Sequence, residues 1–120
     1  TEDVHFVGYT TGAKLYTLYK NAYAFVFPSI NEGFGMPPIE AMSLGVPVIT
    51  SKISSMVEVA GGAALLVDPF NVEDISRAME KIYADPALRA DLIRKGSERA
   101  KMFSWPKAAD AYLHILRSLQ

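Results

Sequence analysis

Residues 28–50 read PSINEGFGMPPIEAMSLGVPVIT, and the only charged side chains among them are Glu32 and Glu40, without Lys, Arg or His. Carboxylates that lack a local counter-charge are hydrogen-bond acceptors, and the vicinal hydroxyls of a ribose or a sugar suit them as partners. Gly33 and Gly35 flank Phe34 and let the backbone turn sharply and come close to a ligand. Pro37 suits the first turn of a helix. A loop that runs into a helix N-terminus offers free N–H groups and a partial positive charge, a common seat for a diphosphate, with Gly35 and Met36 as the expected donors. Pro37 and Pro38 carry no N–H, and the Walker pattern with its Lys is missing, so this is not a P-loop. Glu40 is expected in the first turn of the helix, where the dipole favours a carboxylate, leaving Glu32 for a second polyol. The same residues are also ordinary turn chemistry, since an acid near a helix start and Gly with Pro in a loop are common without any ligand.

The elements that must position this stretch are legible as alternating patterns. Short apolar runs at 4–7, closed by Gly8, and at 24–27, closed by Pro28, have the length of buried strands. Leu15, Leu18 and Tyr19 give 11–20 a helical face, so a βαβ unit is expected. Two more strand candidates lie at 46–50 and 64–67, the first preceded by a helix-forming stretch at 37–44. Apolar strands joined by helical crossovers argue for an α/β fold with a parallel sheet covered on both faces. Beyond Pro69 the spacing predicts only helices, at 74–84, 86–102 and 105–119, with Asn71, Asp85 and Ser104 as N-caps. In an open parallel sheet ligands bind beyond the carboxyl ends of the strands, where the loop after Phe27 and its Glu32 must emerge.

Composition bounds the function. Hydrophobic residues make up 50% of the 120 and charged residues 21%, as in an ordinary globular domain. A net charge of −1 without a basic stripe argues against nucleic acid as a partner. The absence of cysteine excludes disulfides and thiolate metal sites and suits a reducing compartment such as the cytoplasm. No apolar run approaches the roughly 20 residues of a transmembrane helix. Thr1 opens into a polar tripeptide and then the first apolar run, and neither repeats nor linkers follow, so residues 1–120 are expected to be one partial domain excised from a longer chain.

The stretch resembles glycosyltransferase family four, the retaining transferases of GT-B fold, whose signature places two Glu with seven residues between them, as Glu32 and Glu40 are here, in a setting like PSxxEGFGxPxxEAMxxGxPVI. The likeness continues through Val7, Gly8 and Tyr9, residues 22–29, Glu58-Val59-Ala60-Gly61, residues 64–69 and Phe103-Ser104-Trp105, nearly the whole chain. The resemblance implies a Rossmann-like C-terminal half that holds a nucleotide diphosphate sugar, with a hexose, mannose or glucose, passing to a carbohydrate or lipid-linked acceptor. By position, Glu32 would be the catalytic residue at the transferred sugar. The backbone of Gly33, Phe34, Gly35 and Met36 would hold sugar hydroxyls and diphosphate, Glu40 the ribose, and Val7, Gly8 and Tyr9 would lie near the base. No metal or cofactor is implied. The family's phosphate-neutralising Arg and Lys and its acceptor domain would precede Thr1, so this chain alone is expected to transfer nothing, and its parent to work in the cytoplasm, at the inner face of a membrane where the acceptor is lipid-linked. A non-catalytic sugar-nucleotide module, an epimerase or a phosphorylase of the same fold remain alternatives.

Other chemistry-bearing residues read as structural. His5 and His114 lack a second ligand at metal spacing. Glu58 is expected to cap or orient a turn, Phe103 and Trp105 to complete a core, and the alternating charges at 91–101 to form a solvated face.

Overall fold

Alternating burial along Val48 and Ile49 organises the fold: Val48 points into one apolar cluster and Ile49 into another, both fully buried, as a strand covered on both faces requires. The computed structural model describes residues 2–119, so Thr1 and Gln120 of the expected domain lie outside the described residues. Three strands, β1 (Phe25–Phe27), β2 (Val48–Ser51) and β3 (Ala64–Val67), form a parallel sheet in the order β1-β2-β3. The register pairs Phe27 with Thr50 and Thr50 with Leu66. The chain has the expected α/β class.

Helices α1 (Gly12–Asn21), α2 (Met36–Ser43) and α3 (Met56–Ala60) precede or link these strands. Helices α4 (Val72–Ala84), α5 (Pro86–Ala100) and α6 (Trp105–Ser118) complete the chain. One face of the sheet is covered by Ile39, Ala41 and Met42 of α2 and Met56 and Val59 of α3. The other is covered by Ala78 and Ile82 of α4 and Leu92 of α5. Helix α5 joins both clusters: Ala100 lies in the first, and a Cβ at Gly96 would stand 3.1 Å from Met42 Cγ. Asn71, Asp85 and Ser104 cap α4, α5 and α6, each side chain accepting from an amide three residues on, as their types predict.

Four expectations are corrected. Residues 4–7 form no strand: Val4, Phe6 and Val7 are exposed, Phe6 to 97%. An apolar run becomes a strand only with a ladder partner, and β1 pairs with β2 alone, so the βαβ unit there is absent. Trp105 is 84% exposed and completes no core, while Phe103 is half-buried against the first cluster. Glu40 lies in the second turn of α2, because the helix begins at Met36 and its first turn holds no acid. Helix α3 was not expected. It is a five-residue helix too short to be marginally stable alone, so packing of Met56, Val59 and Ala60 makes it.

Candidate functional site

Between Phe27 and α2 the chain is irregular, and its order comes from hydroxyls on β2 and the turn after it. Thr50 donates to the Phe27 carbonyl at 2.9 Å, and Ser51 donates to the Ser29 carbonyl. Ser54 Oγ lies 3.2 Å from the Glu32 carbonyl and accepts from the Glu32 amide at 3.4 Å. Ser55 Oγ reaches the carbonyls of Glu32, at 3.0 Å, and Phe34, at 3.1 Å. Thr50 and Ser51 are wholly buried, and no buried side-chain polar atom among the described residues lacks a partner, as buried polar groups require. The half-buried Glu32 carboxylate accepts from Ser29 Oγ at 3.0 Å, which leaves most of its acceptor capacity free.

Gly35 ends the loop at φ +94 as the N-cap of α2. The left-handed backbone favours glycine, and a Cβ there would stand 2.0 Å from Met56 Cε, so a side chain would have to push that terminal methyl aside. Phe34 meets Phe103 edge to face at 5.4 Å between centroids. Arg99 lies over the Phe103 ring, 4.9 Å from its centroid, and donates to the carbonyls of Val59, at 3.0 Å, and Glu58. The last turn of α3, the end of α5 and the tip of the acidic loop are thereby one packed unit. Glu58 takes part through its backbone carbonyl. The remaining charges of 91–101 behave as expected, Asp91 pairing with Arg94 and Lys95, and Glu98 with Arg94, in solvent.

Glu40 is exposed at the rim of a shallow depression of 280 Å³ that it shares with Gly12, Tyr16, Tyr19 and Ser43. Burial first, then the charge and hydrogen-bonding of Glu40, hold the Tyr19 phenol above its ordinary value. Phe34 and Met36 line a larger apolar cleft of 610 Å³ whose other wall is formed by Phe103, Trp105, Ala108 and Tyr112. The structure thus places Glu32, Gly33, Phe34 and Gly35 in one tethered loop, Met36 at the start of α2 directly after it, and Glu40 at a neighbouring depression. Val7, Gly8 and Tyr9 line neither; Gly8 turns locally at φ +66, with Thr10 Oγ1 donating to its carbonyl at 3.1 Å. His5 and His114 are exposed. Among the described residues no three His, Cys, Asp or Glu gather as metal ligands, and no helix is long and apolar enough to cross a membrane.

Sequence reading missed Thr50, Ser51, Ser54 and Ser55. Their signal was a dense run of hydroxyls directly after an apolar strand, but their acceptors lie more than twenty residues away. It also read Tyr19 only as part of an apolar face. Chemically, the arrangement offers one carboxylate at the sheet's carboxyl end, glycine amides beside it and a second carboxylate over a depression with two tyrosines: acceptors for hydroxyls, donors for an anion, and no resident cation between residues 28 and 50.

Residues 1–99 match the family described as glycosyl transferases group 1. The chain is 42% identical to O-antigen chain mannosyltransferase B of Escherichia coli over 97% of its own length and 30% of that protein. It is 35% identical to D-inositol 3-phosphate glycosyltransferase of Saccharomonospora viridis, over 88% of the chain and 25% of the relative. Among solved structures, sucrose-phosphate synthase from Thermosynechococcus elongatus superposes with a TM-score of 0.85 at 34% identity, covering 98% of this chain and 30% of that one. The chain therefore spans less than a third of the length of each of these proteins.

Proposed function

The chain belongs to the group 1 glycosyl transferases, and on that premise we propose that it is the donor-holding part of a retaining hexosyltransferase. The donor is a nucleoside diphosphate hexose, mannose or glucose, and the acceptor a carbohydrate or lipid-linked hydroxyl supplied through another part of the enzyme. The activities named for the relatives, mannosyl transfer among them, support a hexose. In this reading Glu32 accepts hydroxyls of the transferred sugar. The amides of Gly33, Phe34, Gly35 and Met36 hold sugar and diphosphate, and Glu40 takes the ribose above its depression, with Val7, Gly8 and Tyr9 towards the base.

The observation that carries the reading is the acidic loop itself. A segment without regular structure is tied by the hydroxyls of Ser51, Ser54 and Ser55, and it ends in a glycine at φ +94 whose Cβ would meet Met56. Preorganised donors of this kind act where charge develops, and here that is the departing diphosphate. The bond from the anomeric carbon to the diphosphate oxygen breaks, the acceptor oxygen bonds to that carbon on the same face, and its proton passes to the leaving phosphate. Glu32 then acts electrostatically and by position. Residues 28–50 hold no cation for the phosphates, so the isolated chain binds donor weakly and transfers nothing.

Saturation-transfer NMR of the chain with guanosine and uridine diphosphate sugars, beside Glu40→Ala, tests the donor site; contact to one nucleotide that the substitution abolishes is the expected result. In the complete transferase Glu32→Gln should lower turnover by about a hundredfold or more at unchanged melting temperature. Full turnover in that variant would remove Glu32 from the chemistry.

A further inference from the structure

We propose that Ser55 is a positioning residue of the donor site, fixing the two peptide planes that present the Gly33 and Gly35 amides to sugar and phosphate. The inference rests on the donor-site reading of the acidic loop. Its hydroxyl lies 3.0 Å from the Glu32 carbonyl and 3.1 Å from the Phe34 carbonyl. In a planar trans peptide C=O and N–H point in opposite directions. The Glu32 carbonyl shares its plane with the Gly33 amide, and the Phe34 carbonyl with the Gly35 amide. Drawing both carbonyls towards one hydroxyl therefore turns both amides away from it, on the side opposite the start of α3. Among the described residues no backbone carbonyl accepts from either amide.

The backbone of Ser54 and Ser55 is arranged to serve this contact. Ser55 stands before α3 in helical backbone, φ −65 and ψ −11, and its side chain makes no cap bond, so its hydroxyl is free to reach the loop. Ser54 before it holds φ +59 and is the one non-glycine residue of positive φ among the described residues, a strained state that persists where surrounding structure imposes it and that clusters at functional sites. Both residues bond the same stretch, Glu32 to Phe34, and Ser54 does so from a disfavoured backbone state. A hydroxyl has one proton, so Ser55 alternates between the two carbonyls and keeps their spacing, and with it the spacing of the two amides.

The test uses the complete transferase and a panel of guanosine and uridine diphosphate hexoses. Ser55→Ala is expected to lower kcat about tenfold, the ordinary worth of one hydrogen bond, with the acceptor KM unchanged and only a small fall in melting temperature. Ser55→Thr keeps the hydroxyl and should recover most of the lost rate. An alanine variant that melts lower but turns over at the wild-type rate per folded molecule confines the serine to stability and overturns the inference, as does a threonine variant no better than alanine. In either case a wild type that consumes one of the sugars leaves the donor-site reading standing. A wild type that neither binds nor consumes any of them overturns both.

Discussion

The acidic loop and the segment at 2–11 are both irregular and rich in apolar or glycine residues, yet they differ in what holds them. The loop receives hydrogen bonds from Ser51, Ser54 and Ser55 and an aromatic contact from Phe103, with Thr50 holding the Phe27 carbonyl just before it. The segment carries Val4, Phe6, Val7 and Tyr9 into solvent, Phe6 and Tyr9 each 97% exposed. Apolar composition therefore does not order a stretch of chain. Order comes from satisfied backbone groups, supplied to the loop by the carboxyl end of β2 and absent for a strand without a neighbour. The site sits where the sheet can lend its hydroxyls.

The sharpest way to break that contrast is Gly35→Ala. A side chain at φ +94 costs about 1–2 kcal/mol. Its Cβ would also displace the buried terminal methyl of Met56, adding about 1 kcal/mol of overpacking. The expected result is a loss of about 2–3 kcal/mol by urea unfolding, eased when Met56→Ala opens the space. Unfolding at the wild-type midpoint would mean that the loop tolerates movement and is not fixed as described.

What was legible in the sequence follows the range of the interactions. Asn71, Asp85 and Ser104 were readable as caps because a cap bonds an amide three residues away, inside any local window. The strand at 64–67 and the loop with Glu32 and Gly35 were readable from apolar pattern and glycine spacing. The hydroxyl tethers were not, because Ser51 and Ser29, or Ser55 and Phe34, meet only once β1 and β2 pair. The misplacement of Glu40 is a boundary effect: Pro37 was read as the first helical residue, while Gly35 starts the helix at Met36. Residues 4–7 had the composition of a strand, and composition carries no information about whether a partner strand is there.

A smaller effect is expected at Arg99, which ties α3 and Phe103 behind the loop. Arg99→Ala removes bonds to the Glu58 and Val59 carbonyls and the cation over Phe103. Water can replace part of this at the helix end, so the loss should be about 1–2 kcal/mol. Arg99→Lys keeps the charge but not the fork that reaches two carbonyls at once, and should recover less than half of it. Thermal unfolding of the three proteins decides, and equal midpoints would detach the loop tip from α5.

The smallest effect on stability belongs to the segment itself. Among the described residues, deleting 1–9 removes four exposed apolar side chains and no strand, so stability should change by no more than about 0.5 kcal/mol. The deletion also separates two roles that exposure alone leaves joined. If Val7, Gly8 and Tyr9 approach a nucleotide base, nucleoside diphosphate contact by saturation transfer weakens in the truncated chain while its melting is unchanged. If contact persists in full, the base is read elsewhere, and the depression beside Glu40, with Tyr16 at its edge, is where the reading has to be sought. A truncated chain that melts several degrees lower would instead show that the segment is held by the domain, and the contrast with the tethered loop would fail at its other end.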